Sequence, residues 1–193
     1  MAEMQSKKHI LVALVENKPG VLNRVANLFR RRNFNIDSLN VGRTHRSYIS
    51  RLTVVVDATR GDAHRIAANL LKLINVIDVA TVSNEPHISR DLALIKVRAN
   101  DATSRNTLTL ICEHYPARIV DIGPEVAIVE ITSTAEQVEA LIGELEPLGI
   151  VELVRTGVVA MGRGIRILDT QYEPVVPVTA ANGNGASYGV YSV

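Results

Sequence analysis

Residues 9–15 are almost all apolar and rich in branched side chains, a pattern that predicts a buried strand. The turn Glu16-Asn17-Lys18-Pro19-Gly20 follows. Beyond it, Leu22, Val25, Ala26 and Phe29 recur at i, i+3, i+4 and i+7, which predicts a helix with one apolar stripe. Arg24, Asn27 and Arg31 then face outward. Two extended stretches come next, at 35–44 and 49–57, with Thr44-His45-Arg46-Ser47 as the hairpin loop between them. The second stretch sets Leu52, Val54 and Val56 on one face and Thr53 and Val55 on the other. Ala63, Ile66, Ala67, Leu70, Leu73 and Ile74 line one side of a second helix, and a short strand at 76–82 closes the unit.

The order is β-α-β-β-α-β, the split βαβ of ferredoxin-like domains. Two helices with single apolar stripes cover one face of a four-stranded sheet, so the other face is solvated or meets a partner. The order then recurs. A strand at 91–99 precedes a helix at 103–115 that uses Leu108, Ile111, Cys112 and Tyr115. Strands at 118–122 and 126–131 flank Gly123-Pro124. Thr134 stands three residues before Gln137, a capping-box spacing, and Val138, Leu141, Ile142 and Leu145 continue at helical spacing. The closing strand, 151–154, carries Val151-Glu152-Leu153, which resembles Ile77-Asp78-Val79 in the first half. The chain therefore reads as α+β, with two ferredoxin-like βαββαβ domains in tandem at 8–84 and 90–165. They join near 84–90, where Pro86 interrupts regular structure. Residues 169–193 contain Pro174, Pro177, Gly183, Gly185 and Gly189 with few large aliphatics. Such a stretch buries too little to offset its ordering entropy, so a flexible tail is expected unless a partner orders it.

Composition narrows the chemistry. With no Trp, and Phe only at Phe29 and Phe34, the core must be built from Ile, Leu and Val. A net charge of +1 favours neither nucleic acid nor an anionic membrane. The one cysteine, Cys112, excludes an internal disulfide and reads as a buried core thiol. No apolar run reaches the roughly 20 residues of a membrane-spanning helix. Residues 1–8 lack a secretory core or an Arg/Ser-rich transit segment, so a cytoplasmic protein is expected. His9, His45, His64, His87 and His114 fall in five segments without metal-ligand spacing, so no metal site is expected. Gly162-Arg163-Gly164 is too short for a dinucleotide motif, and Ser47, Ser50 and Ser104 lack an elbow motif. No catalytic residue stands out. An autonomous enzyme is not expected.

The segment from Asn17 to Gly20 leads from a buried strand straight into a helix, whose unpaired N–H groups and positive dipole end lie at the turn. Asn17 suits an N-cap, Pro19 suits a first helical turn, and Gly20 leaves the backbone open to close approach. A carboxylate is at home in such a place. The same residues also serve simply to start a helix.

Val15-Glu16-Asn17-Lys18-Pro19-Gly20-Val21-Leu22-Asn23-Arg24-Val25, followed by Phe34-Asn35-Ile36-Asp37-Ser38-Leu39, resembles the signature of ACT domains. It is most like that of the small regulatory subunits of acetolactate synthase (acetohydroxyacid synthase). Ser50-Arg51-Leu52-Thr53 and Arg155-Thr156-Gly157-Val158-Val159-Ala160 are similar to that family too, and the likeness spans about 8–165. The resemblance implies a homodimer through ACT domains, with valine, sometimes leucine or isoleucine, held between them. It implies that Asn17 and Gly20, with Lys18 and Pro19 of the same turn, hold the ligand's polar end. Asn35 would reach that end from across the interface, and Val21, Leu22 and Ile36 would be the apolar neighbours. Asn23 stands where many relatives have Ser. The second half reads Arg98-Ala99-Asn100-Asp101 at the matching place, so only the first domain is expected to bind the amino acid.

The resemblance further implies a partner, the large catalytic subunit of acetolactate synthase, which condenses pyruvate with a second 2-oxo acid. This chain would raise the partner's activity and confer feedback inhibition by valine. It would carry no cofactor itself, because thiamine diphosphate, Mg2+ and FAD would belong to the partner. Neither nucleic acid nor membrane is expected as a partner. A rival reading is an RNA platform, given Lys7-Lys8 and Arg30-Arg31-Arg32, but the strands lack the paired aromatics that stack bases. The Arg run ends a helix, where cations suit the dipole. An amino-acid-responsive transcription regulator is a further alternative, although no helix-turn-helix is evident.

Overall fold

A computed structural model of the chain describes residues 7–58, 60–164 and 168. The first unit runs β1 (Lys7–Glu16), α1 (Val21–Arg31), β2 (Ser38–Arg43), β3 (Ile49–Ala58), α2 (Arg60–Leu70) and β4 (Val76–Thr81). The second repeats it as β5 (His87–Arg98), α3 (Ala102–Glu113), β6 (Ala117–Ile122), β7 (Val126–Ser133), α4 (Ala135–Leu145) and β8 (Ile150–Arg155). Both sheets are antiparallel, in the orders β2-β3-β1-β4 and β6-β7-β5-β8. The two βαββαβ units expected from periodicity are therefore present. The repeat extends to its irregularities. β4 slips register on β1 between Leu14 and Val15, and β8 slips on β5 between Lys96 and Val97. Asp78 pairs Leu14 just as Glu152 pairs Lys96, so the two short look-alike sequences mark one place in both sheets.

Each sheet carries its helices on one face. Leu11, Ala13 and Val15 of β1 and Leu52, Val54 and Val56 of β3 pack under Val25, Phe29, Ile66 and Leu70. Ile95, Val97, Val129 and Ile131 meet Leu108, Cys112, Val138, Leu141 and Leu145 in the second core. Thr134 caps α4, its hydroxyl accepting from the Gln137 amide at 3.4 Å.

Cys112 lies in that second core, as expected, and burial pushes its thiol pKa up. An acid whose pKa rises on folding stabilises the fold below its unfolded pKa, and that contribution fades as pH climbs through it. Native Cys112 is thus expected to react with a thiol reagent at pH 8 at least about tenfold more slowly than the urea-unfolded chain. Equal rates would place the thiol outside the core.

Several elements differ from expectation. The inward stripe of α1 is Val21, Val25 and Phe29, while Leu22 is 45% exposed and Ala26 is exposed too. Val25 and Phe29 keep their places, while Val21 takes the position expected of Leu22 and Ala26, so the buried face is turned by about 50°. Ile74 is 85% exposed because α2 stops at Leu70 and the helical spacing no longer applies. β2 starts at Ser38, not at 35. Only a short 3-10 turn, Val82–Asn84, and two further residues separate β4 from β5.

A ninth strand, β9 (Val159–Gly162), was not foreseen. It pairs with the start of β5, from His87↔Gly162 to Arg90↔Val159. The ribbon so formed brings Ala160 onto Val12 and Val82, with Ile10, Val158 and Leu168 around them. The second face of the first sheet, expected to meet solvent or a partner, is thus covered by the chain itself. Two polar links fasten it. The Arg51 guanidinium donates to the Ala160 carbonyl at 2.7 Å, and the Val158 amide donates to Ser38 Oγ at 3.0 Å. Partial burial pulls the Arg51 pKa below its usual value. Residues 169–193, the expected tail, lie outside the described residues.

Candidate functional site

The turn after β1 is held from both sides. The Glu16 amide donates to Asn75 O at 2.9 Å, and the Asn17 amide donates to Tyr48 O at 2.8 Å. The Asn17 side chain donates to Ser47 O at 2.9 Å, so it staples the turn to the β2–β3 hairpin and does not cap α1. This corrects the N-cap expected at Asn17. Pro19 likewise precedes the helix. The N-cap is Gly20, at φ 81° and ψ −7°, and no side chain caps α1. The Val21 amide donates to Lys18 O at 3.4 Å, and the Leu22 and Asn23 N–H groups of the first turn are left to solvent or to a ligand. A Cβ built on Gly20 would meet nothing within 4 Å, so the space above this backbone is open.

Behind the turn lies a polar group that sequence reasoning missed. Glu16 ends β1 and is buried, yet Lys18 reaches its Oε1 at 3.0 Å. Asn75 Nδ2 donates to Oε2 of the same carboxylate, and Arg24 donates to Asn75 Oδ1 at 2.5 Å. The network ties the first turn of α1 to the approach of β4. An acidic residue closing an apolar strand is its sequence signal.

Asn17, Lys18, Pro19, Gly20 and Leu22 share one exposed region, whereas Val21 points into the core. Asn35 is exposed, and Ile36 packs against the first core. These two do not meet Gly20 within the chain. Ser38 pairs Val55, near the Lys8–Asp37 ion pair of 3.0 Å, while the Gly20 turn adjoins the pair Glu16↔Ile49. Six residue steps along β3, from Ile49 to Val55, separate the two ends, roughly 20 Å. Asn35 and Gly20 therefore lie at opposite ends of the first sheet. β2 is an edge strand, with Val41 46% exposed.

The second domain answers differently at the same position. Asp101 caps α3, its carboxylate accepting from the Ser104 amide at 2.7 Å while the Ser104 hydroxyl reciprocates at 3.3 Å. That amide bond, first among the causes, holds the Asp101 carboxyl below its usual range. An anion supplied by the chain already occupies this helix start. α1 has none.

Among the described residues, no group of three or more His, Cys, Asp or Glu could hold a metal, and no helix is long and apolar enough to cross a membrane. Arg31, Arg32 and Lys72, with Leu28, Asn69 and Leu73, line a groove of about 430 Å³.

Two repeated ferredoxin-like units, one with an open glycine at the start of its first helix, define a class of tandem ferredoxin-like proteins. Residues 11–78 match the family described as the AHAS small subunit-like ACT domain, and residues 90–164 match the small subunit of acetolactate synthase. The chain is 47% identical over 158 residues to the acetolactate synthase small subunit of Mycolicibacterium smegmatis, covering 82% of this chain and 92% of that one. It is 36% identical over 169 residues to the Aquifex aeolicus small subunit, covering 88% of each. The crystal structure of the acetolactate synthase small subunit from Thermotoga maritima superposes with a TM-score of 0.75 at 38% identity, covering 82% of this chain and 98% of that one. The chain belongs to the acetolactate synthase small-subunit family.

Proposed function

We propose that this chain activates the large catalytic subunit of an acetolactate synthase and switches it down when valine, or another branched-chain amino acid, is abundant. The carrying observation is Gly20: exposed, left-handed, open above, and seated at the uncapped positive end of α1. The ligand's carboxylate sits on the first-turn amides there, with the Lys18 cation close by. Leu22, one of the exposed large apolar groups of this unit, offers contact to an aliphatic side chain. Asn35 comes from the partner copy of a homodimer built across the β2 edge. The second domain takes no ligand because Asp101 fills its equivalent place.

Catalysis would stay with the partner in the cytoplasm, where thiamine diphosphate and Mg2+ would supply the carbon–carbon bond formation and FAD would also be held. This chain contributes binding and a coupling of about 1–3 kcal/mol, which acts equally in both directions. Burial of a valine side chain gives roughly 1.5–3 kcal/mol, and each charge-assisted hydrogen bond gives a similar amount. After association costs, a micromolar to millimolar affinity results, about −8 to −4 kcal/mol. One methylene distinguishes valine from leucine by only about 1–3 kcal/mol, so cross-binding follows.

Calorimetry of the chain with valine, leucine and isoleucine tests this. Saturable heat is expected with at least valine, none with a poly-uridine oligonucleotide, and a valine affinity shifted roughly 5- to 150-fold once the catalytic subunit is added. Heat with the oligonucleotide alone would favour the RNA platform.

A further inference from the structure

The loop at 33–37 carries Asn35, and most of its anchors belong to its own domain. The Phe34 amide donates to Phe29 O at 3.1 Å, the Asp37 amide donates to Val55 O at 2.9 Å, and Lys8 pairs with Asp37. One anchor comes from elsewhere. Ser38, the first residue of β2, accepts from the Val158 amide through Oγ. Gly157 adjoins the same hydroxyl. A Cβ on Gly157 would overlap Ser38 Oγ and lie 3.3 Å from Ser38 Cβ, and its φ of 77° is itself a glycine conformation. Two independent constraints hold this residue to glycine.

The segment ending in Gly157 is in turn fixed to the second sheet. The Thr156 amide donates to Leu92 O at 3.0 Å, and the Leu92 amide donates to Thr156 Oγ1 at 3.2 Å. Thr156 Oγ1 also lies 3.4 Å from Asp91, a buried carboxylate that receives Arg155 Nε at 2.9 Å. Arg155 bonds Glu139 of α4 with its other amine. Contacts thus run without a gap from α4, through Arg155, Asp91, Thr156 and Gly157, to Ser38 and the Asn35 loop. Contiguity alone does not make a coupling path. Here, however, the terminal link is one hydrogen bond and one close approach, and each can be removed separately.

We infer that the second domain, which holds no ligand itself, braces the Asn35 loop through the contact of Gly157 and Val158 with Ser38 and thereby sets how tightly the first domain holds its amino acid. Ser38 and Gly157 are positioning residues. They act through Asn35, and the inference rests on the ligand site proposed above. Because linkage is reciprocal, filling the ligand site also tightens the seat of β9 on the first sheet.

Hydrogen exchange and valine calorimetry on the full chain test it. Ser38→Ala removes the acceptor without crowding Gly157. The amides of residues 34–38 are expected to exchange about fivefold faster and valine to bind about fivefold more weakly, the worth of one hydrogen bond. Amides of α3 and α4 should not move, and the urea midpoint should fall by no more than the loss of that one bond accounts for. Gly157→Ala should produce a larger shift of the same kind, and adding Ser38→Ala to it should recover part of the loss by removing the overlap. Valine affinity equal to wild type in a folded variant overturns the inference. So does faster exchange spread evenly over the chain, which signals mere loss of stability. Should Gly157→Ala fail to fold, Ser38→Ala decides. Wild-type chain that takes up no valine sinks the ligand reading instead, and unchanged exchange at residues 34–38 in Ser38→Ala then overturns the brace.

Discussion

Gly20→Asp is expected to abolish valine binding and with it the feedback response, while activation of the catalytic subunit persists. The substitution gives α1 what α3 already has, a carboxylate of its own at the helix start. Nothing within 4 Å obstructs the first atom of the new side chain, so the change introduces charge more than collision. Two carboxylates about 4 Å apart near a protein surface repel by about 4 kcal/mol, roughly a thousandfold in affinity. The left-handed backbone adds about 1–2 kcal/mol against any side chain, although Asp and Asn tolerate it best. Gly20→Asn separates the two effects, because it keeps the backbone cost and removes the charge. Calorimetry should show valine lost in the Asp variant and weakened no more than about tenfold in the Asn variant. If the Asp variant binds like wild type, the ligand sits elsewhere.

Arg155→Ala is the second large effect, on stability this time. Asp91 is 2% exposed, and Arg155 approaches it through Nε and Nη2 at 2.9 and 2.5 Å. Burial works against the charge of Arg155, but the bonds to Glu139 and Asp91 outweigh it, so its pKa stands above the usual value. Removing the guanidinium leaves a buried carboxylate with, among the described residues, the Thr156 hydroxyl at 3.4 Å as its remaining side-chain partner. The expected loss is about 3 kcal/mol in a urea melt. Replacing both partners by apolar residues, Asp91→Leu with Arg155→Met, should recover much of it, since the penalty lies in the uncompensated charge. A single variant as stable as wild type would show that water reaches Asp91.

Much of the fold is legible in the residues. The alternation of Leu52, Val54 and Val56 against Thr53 and Val55 gives β3 its two faces, and the paired triplets at 77–79 and 151–153 betray the repeat. Thr134 and Gln137 announce α4. Features that depend on distant partners are not legible. β9 is four residues long, and its mate is the start of β5, some 70 positions upstream and just beyond Pro86. Nothing local distinguishes that pairing from a loop. The site divides in the same way. The glycine turn shows itself because a left-handed residue between strand and helix is a local demand. Asn17 reads as a cap because an Asn before a helix serves equally as a cap or, as here, as a staple to a neighbouring hairpin. Asn35 and Gly20 read as one site only if two chains are imagined together, and no spacing within one chain carries that information.

The covering of the first sheet by β9 limits how such a gene can be rearranged. β5 serves both halves, one end laced to β9 and the other at the centre of the second sheet. The duplicated units have therefore ceased to be interchangeable parts. A foreign amino-acid-sensing module grafted onto this C-terminal half would need its own equivalents of Val12, Ser38 and Arg51, or the graft would present an oily underside to water.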